Sequence, residues 1–302
     1  MVQQSISTGT FCEAKWVVSA TAGQGTHTTI SAALAASASG DTIFIRDGTY
    51  TENPSLVAGV SLVAYVGDSL TPNVTIVGNC TFSSAGTVSI SGIRLQTNSA
   101  ALLTVSGSAA SIVNLYGCYL NCSNNTGITF SSSSSSAQIT ITSCGGNIGT
   151  TGISYFTMTS TGTLYIFDSQ LFNSGLSVTA STNSSGTSII NSSYLLFPLT
   201  TTGTATIQTL NTTVFVGGNG TGITHGGTGG SSYCMNCNVE TGTASSISIG
   251  AGATLTVCNT QVSSSNTNAL TGSGILKYAF IAFYGSSSGH NVSTETALST
   301  LI

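Results

Sequence analysis

The chain predicts an all-β fold: a single-stranded right-handed parallel β-helix of about ten coils of roughly 24 residues, with an N-terminal capping helix. Three observations predict it. A six-residue pattern returns about every two dozen residues, aliphatic positions alternate within each return, and one amphipathic helix precedes the first of them.

The pattern reads aliphatic, any, small polar, small, any, aliphatic. It occurs at Ile90–Leu95, Leu115–Leu120, Ile166–Leu171, Ile190–Leu195, Leu210–Phe215, Cys234–Val239 and Val257–Val262, and more loosely at Ile141–Gly146. Pairs such as Val88/Ile90 and Leu164/Ile166 put aliphatics on one face of a strand, and the third position (Gly92, Gly117, Ser143, Asp168, Ser192, Thr212, Asn236, Asn259) suits a tight corner. A unit this short cannot bury its own apolar face, so successive units must stack. An antiparallel sandwich would instead show hairpin signals every 8 to 12 residues.

Before the repeats, residues 28 to 40 read as a helix capped by Thr28 or Thr29, with Ile30, Ala33 and Leu34 on its apolar side and Gly40 closing it. A solenoid needs its first coil covered, and this helix is the natural lid. The chain therefore divides into a cap region (1–44), the β-helix (45–268) and a C-terminal cap or oligomerisation segment (269–302).

Gly40-Asp41, then TIFIRDGTYTEN, then VSLVAYVGD resembles the opening of the pectin-lyase-like right-handed β-helix superfamily, most closely its pectin methylesterase branch. Gly48-Thr49-Tyr50-Thr51-Glu52 matches that branch's G-x-Y-x-E element, and the resemblance spans residues 25 to 68. It implies the fold, and as an alternative function a carbohydrate-active esterase or lyase. The family's Q-A-V, Q-D-T, D-F-I-F-G and L-G-R-P-W blocks have no counterpart here.

After residue 268 the period breaks. Ile275–Tyr284 is apolar on both faces, so residues 290–302 (Val292, Leu298, Leu301, Ile302) roof it or another chain does. The run from Gly274 to Leu298 resembles the end segments of β-helical phage and virus fibre or spike proteins; by that analogy the chain forms a homo-oligomer such as a trimer.

Charged residues make up 4% of the chain, with Lys and Arg together numbering four. That excludes nucleic-acid binding, and no stretch is long and apolar enough for membrane insertion. Residues 1 to 20 lack a secretory signal, which predicts cytoplasmic synthesis, and the cysteines read as free thiols.

Acid/base work on sugars needs two carboxylates together. Asp168 and Glu240 fall three repeats apart, roughly 14 Å along a stack; Asp47 and Asp68 read as turn acids. His27, His225 and His290 read as solvated loop residues, and Cys234-x-x-Cys237 lacks a second ligand pair. Cys118 and Cys144 share the fourth slot of neighbouring units and should stack as small core residues.

The sequence thus predicts no catalytic, metal or cofactor residues. Its first reading is a non-enzymatic structural protein, a virion or phage spike, fibre or surface component. Its partners would be copies of itself, other particle proteins and surface glycans. A bacterial surface adhesin is the remaining alternative.

Overall fold

A computed structural model describes residues 15–65, 73–97, 101–122, 127–148, 156–159, 161–173, 181–183, 186–216, 221–227, 231–242, 244–264, 268–284 and 290–297. Short strands pair in parallel with the strand three further along the chain, which is the signature of a parallel β-helix. Three stacks result. The first contains Gly86–Ser91, Ser111–Tyr116, Gln138–Thr142 and their successors; the second, Arg94–Thr97, Tyr119–Cys122, Gly145–Ile148 and onward; the third, Cys80–Phe82, Leu103–Val105, Ile128–Phe130 and onward.

The register of the first stack runs Leu62, Ile90, Leu115, Ile141, Ile166, Ile190, Thr209, Cys234, Val257, Tyr278. Ten residues in one column mean nine turns between Leu62 and Tyr278. At about 4.8 Å per turn they span roughly 43 Å. Inward aliphatics such as Leu95, Leu120, Leu171 and Leu195 form a buried column, broken only by Gly146 between Leu120 and Leu171, because each coil covers the open face of the one before.

Between the first and second stacks the chain turns through one left-handed residue per coil: Gly92, Gly117, Ser143, Asp168, Ser192, Asn211, Asn236, Asn259 and Phe280. Gly, Asn, Asp and Ser suit this position because their small or self-bonding side chains tolerate positive φ. One unit differs from the sequence reading. The corner is Asn211 and not Thr212, so the unit begins at Thr209 and not Leu210. Thr209 fills the inward slot fully buried, satisfying its hydroxyl on the Tyr233 carbonyl at 3.3 Å, while Leu210 lies on the outer face. A search for an aliphatic residue in the first slot misses a threonine that carries its own hydrogen bond inside.

The slot after the corner holds Cys118, Cys144, Ser169, Ser193, Thr212, Cys237 and Thr260, all buried. These are more than small core residues. The Cys118 amide donates to Cys144 Sγ (3.4 Å), the Cys144 amide to Ser169 Oγ (3.2 Å) and the Ser169 amide to Ser193 Oγ (3.3 Å). Each side chain in turn donates to the carbonyl two residues back, as Ser169 does to Phe167 at 2.8 Å. The ladder satisfies amides that the turn removes from strand pairing. The seven described cysteines are free thiols, and burial pushes Cys80 up to about 12.

The cap helix spans Ile30–Ala36, with Thr29 as its N-cap, and buries Ile30, Ala33 and Leu34. It ends earlier than residue 40 because Ser37 closes it, with both its amide and its hydroxyl donating to the Leu34 carbonyl. Glu52 explains why the G-x-Y-x-E element is scaffold: its carboxylate accepts the Ile30 and Ser31 amides, both at 2.8 Å, and the Ser31 hydroxyl, which pins the helix N-terminus.

Asp41 ties the segment before the helix to the rod. It accepts from the Ala38 amide (2.8 Å), Trp16 Nε1 (2.8 Å) and Lys15 Nζ (3.0 Å). These bonds, the Ala38 amide first, hold its carboxyl down at about 2. A lowered carboxylate contributes stability that is present above the ordinary range and is lost as pH falls toward that value. Acidification from about pH 4 to 2 is therefore expected to loosen the Trp16 strand first. Trp16 is the only tryptophan, so its fluorescence should shift before the far-UV β signal changes; Asp41→Asn should abolish the early shift.

Candidate functional site

The acids do not converge. Asp168 is exposed at its corner, and Glu240 lies three turns further along on the second stack, in register with Phe215 and Ser263. Asp47 accepts the Asn73 amide at 2.8 Å, a turn role as expected; Asp68 lies outside the described residues. Among the described residues no three His, Cys, Asp or Glu side chains cluster to hold a metal.

The histidines divide. His27 packs beside Trp16, their rings 5.3 Å apart. His290 opens the last strand. His225 corrects the solvated-loop expectation: it is fully buried in the strand Ile223–Gly227, with Nδ1 2.6 Å from Thr201 Oγ1 and 3.2 Å from Ser232 Oγ. Its glycine-rich context in the sequence hid the strand alternation that turns it inward.

What the fold does assemble is an edge. Tyr116 and Tyr119 flank the corner at Gly117, and Tyr194 shares the Tyr119 column, whose register runs Arg94, Tyr119, Gly145, Gln170, Tyr194, Thr213, Asn238, Gln261. The three tyrosines are each about 40% exposed. Arg94 lies over the Tyr119 ring at 4.9 Å, and Gly145 leaves that ring room: a Cβ there would sit 3.5 Å from it. Phe172 braces Tyr194, ring centroids 6.0 Å apart. Asp168 and Gln170 lie on the second of the two coils between Tyr119 and Tyr194.

Further along, the same edge becomes an amide groove. The corner asparagines bond one to the next, Asn236 Nδ2 to Asn211 Oδ1 at 3.2 Å and Asn259 Nδ2 to Asn236 Oδ1 at 2.9 Å. With Asn238, Gln261 and Phe280 they line a cavity of about 410 Å³, within the size range of small-molecule sites. Asn238 Oδ1 is buried there without a hydrogen-bond partner. A buried carbonyl of this kind is stabilised by any hydroxyl donor that reaches it. Cys237 also lines the cavity; the Cys234 thiol donates to it and lowers it to about 7.

The sequence reading looked for clustered carboxylates and missed this edge. The available signal was tyrosine in the outward slots beside the corner, positions 116, 119 and 194, and asparagine in the corner slot itself.

No protein-family model and no curated protein matches the chain. Among solved structures it is similar to the pectin methylesterase of Aspergillus niger, with 16% identity over 99% of this chain and 93% of that one and a TM-score of 0.49. It is also similar to the pectin methylesterase from carrot, with 12% identity over 97% and 91% of the two chains and a TM-score of 0.38. At these identities the likeness concerns fold alone. The solved structures similar to it are those of enzymes, against the expectation that the chain is not one. That expectation rested on the missing family blocks and on carboxylates that do not cluster.

Proposed function

We propose that the chain is a carbohydrate-associated β-helix protein whose corner edge engages a neutral polysaccharide. The observation that carries this is the edge itself: exposed, braced tyrosine faces continuous with an amide-lined groove that contains an unpartnered buried acceptor. Tyrosine offers a flat amphipathic platform for sugar rings, and amides exchange hydrogen bonds with uncharged hydroxyls. Tyr119 and Tyr194 stand three turns apart, roughly 14 Å, which suits an extended chain lying along the rod.

The test is calorimetric titration with highly esterified pectin and with a neutral glucan, alongside assays for methanol release and chain cleavage. Tyr119→Ala with Tyr194→Ala should remove most of the binding without lowering the melting temperature. Asp168→Asn, at the exposed corner of an intervening coil, should keep binding. Equal binding by the wild type and the tyrosine double variant would sink the reading.

A second reading, self-association in a larger particle, is favoured by the C-terminal coil. The strand His290–Ala297 pairs with Leu270–Tyr278, leaving Phe280 71% exposed and Ile275 37% exposed. Next to them is an apolar cavity of about 260 Å³ among Leu276, Tyr278, Ile281 and Phe283. The roofing residues Leu298, Leu301 and Ile302 lie outside the described residues. An oligomeric mass in solution that Phe280→Asp reduces to the monomer would support this reading.

A further inference from the structure

The third stack carries a feature that neither the tyrosine edge nor the C-terminal coil uses. Its middle column, outward wherever its side chains are described, reads Ser55, Thr81, Thr104, Thr129, Thr157, Thr182, Thr200, Thr224, Ser248, Thr271, each in register with the next. Every member carries a β-hydroxyl, and eight of the ten add a methyl group. Composition alone does not produce such a column. The matching outward column of the first stack reads Ser89, Asn114, Thr140, Tyr165, Ile189, Gln208, Tyr233, in a chain of the same overall make-up.

The array is two-dimensional. Two residues further along their strands, Ser83, Ser106, Ser131, Thr159, Thr202 and Ser273 are again hydroxylated, and Gly226 and Gly250 leave the face open at two coils. Backbone pairing continues through this second column, for example from the Ser106 amide to the Phe82 carbonyl (3.1 Å) and from the Ser131 amide to the Val105 carbonyl (2.9 Å). Hydroxyls therefore repeat at about 4.8 Å across the strands and about 6.6 Å along them.

Three properties select an occupant. Among the described residues no charged side chain lies in the face, so neither phosphate nor an ionic partner has a counter-charge to meet there. The β-branched side chains are stiff at χ1 and sit on a hydrogen-bonded ladder, so the array is fixed before anything binds. A protein partner or a folded ligand selects varied side chains at a few anchoring points. One group repeated on a two-dimensional lattice matches a surface that itself repeats. The spacing across the strands lies near the oxygen repeat along the short axis of a prism face of hexagonal ice, and the spacing along them falls somewhat short of the repeat on its long axis.

We propose that the threonine face of the third stack binds ice, holding an ordered layer of water on its hydroxyl and methyl lattice. This function is separate from carbohydrate engagement, which uses the corner edge between the first two stacks.

The test follows single ice crystals in solutions of the protein, measuring the gap between melting and freezing temperatures and the crystal habit. Wild type should produce faceted crystals and a measurable gap. Thr129→Lys and Thr157→Lys should abolish both, while Thr163→Lys, on the outer face of the first stack, should leave both intact. All three positions, and Thr104 as a further site for lysine, are half-buried outward side chains on the rod, so far-UV spectra and melting temperatures should stay close to wild type. For any variant that fails to fold, Thr157→Ser substitutes: it keeps the hydroxyl, removes the methyl group and should still shrink the gap. Rounded crystals with no gap in folded wild type would overturn the proposal, and so would an undiminished gap in the folded Thr129→Lys protein. Binding to crystalline chitin or cellulose, or a dimer lost in Thr129→Lys, would equally overturn it if ice activity is absent.

Discussion

Replacing Phe130 with alanine is expected to destabilise the protein by about 3–5 kcal/mol, the cost of deleting a fully buried aromatic ring whose surroundings cannot collapse. Phe130 is 1% exposed and sits in the inward column of the third stack between Val105 and Met158. Its ring also closes against Gly162, where a Cβ would come within 2.9 Å of the ring tip and 2.2 Å of the Ala137 carbonyl. Backbone on that side is held by strand pairing and cannot move in to fill the void. Because each coil touches only its neighbours, the damage should concentrate between the coils at Val105 and Met158. Urea unfolding should show a lower midpoint, and a reduced slope would mean that the coils on either side unfold separately. Thr129→Ala, one residue away on the outer face, should change stability by less than about 0.5 kcal/mol. A loss below about 1 kcal/mol for Phe130→Ala would mean that the interior repacks more freely than this ladder allows.

The stacking period was legible because it follows from a physical necessity: apolar residues at Ile90, Leu115, Ile141 and Ile166 have no other way to leave water. The same logic located the cap helix, whose stripe of Ile30, Ala33 and Leu34 is buried as its spacing requires. What escaped was polar chemistry placed inside. Thr209 and Ser188 occupy inward slots that an aliphatic template passes over, and His225 sits where its flanking glycines suggested a loop. The candidate site was less legible than the fold. Tyr119 and Tyr194 are far apart in the chain, and only the register of intervening coils brings them onto one edge with Gln170 between. The threonine column was hidden for the same reason. Its members differ in spacing because the loops between coils differ in length, so no fixed period in the sequence connects Thr129 to Thr157 or Thr182 to Thr200.

His225 supplies the sharpest test of the buried polar chemistry. A hydrophobic-pattern argument predicts that leucine at this position stabilises the rod, since Ile249 fills the next place in the same inward column. The geometry predicts the opposite. Thr201 Oγ1 and Ser232 Oγ, both buried, lie 2.6 and 3.2 Å from the imidazole, and Ser232 Oγ also accepts the Ile207 amide at 2.9 Å. Leucine removes the imidazole from both hydroxyls in a place water does not reach, and a buried polar group deprived of its partner costs about 1–3 kcal/mol. His225→Leu is therefore expected to lower stability by about that amount in urea unfolding. Replacing both partners by apolar groups of similar shape is close to neutral, so adding Thr201→Val to His225→Leu should recover much of the loss. The double-mutant cycle should then show a coupling of about 1–2 kcal/mol between positions 201 and 225. Ser232 keeps its bond from the Ile207 amide in every variant, which confines the coupling to the Thr201–His225 pair. Additive effects at the two positions would show that the imidazole and the threonine hydroxyl share space without sharing energy.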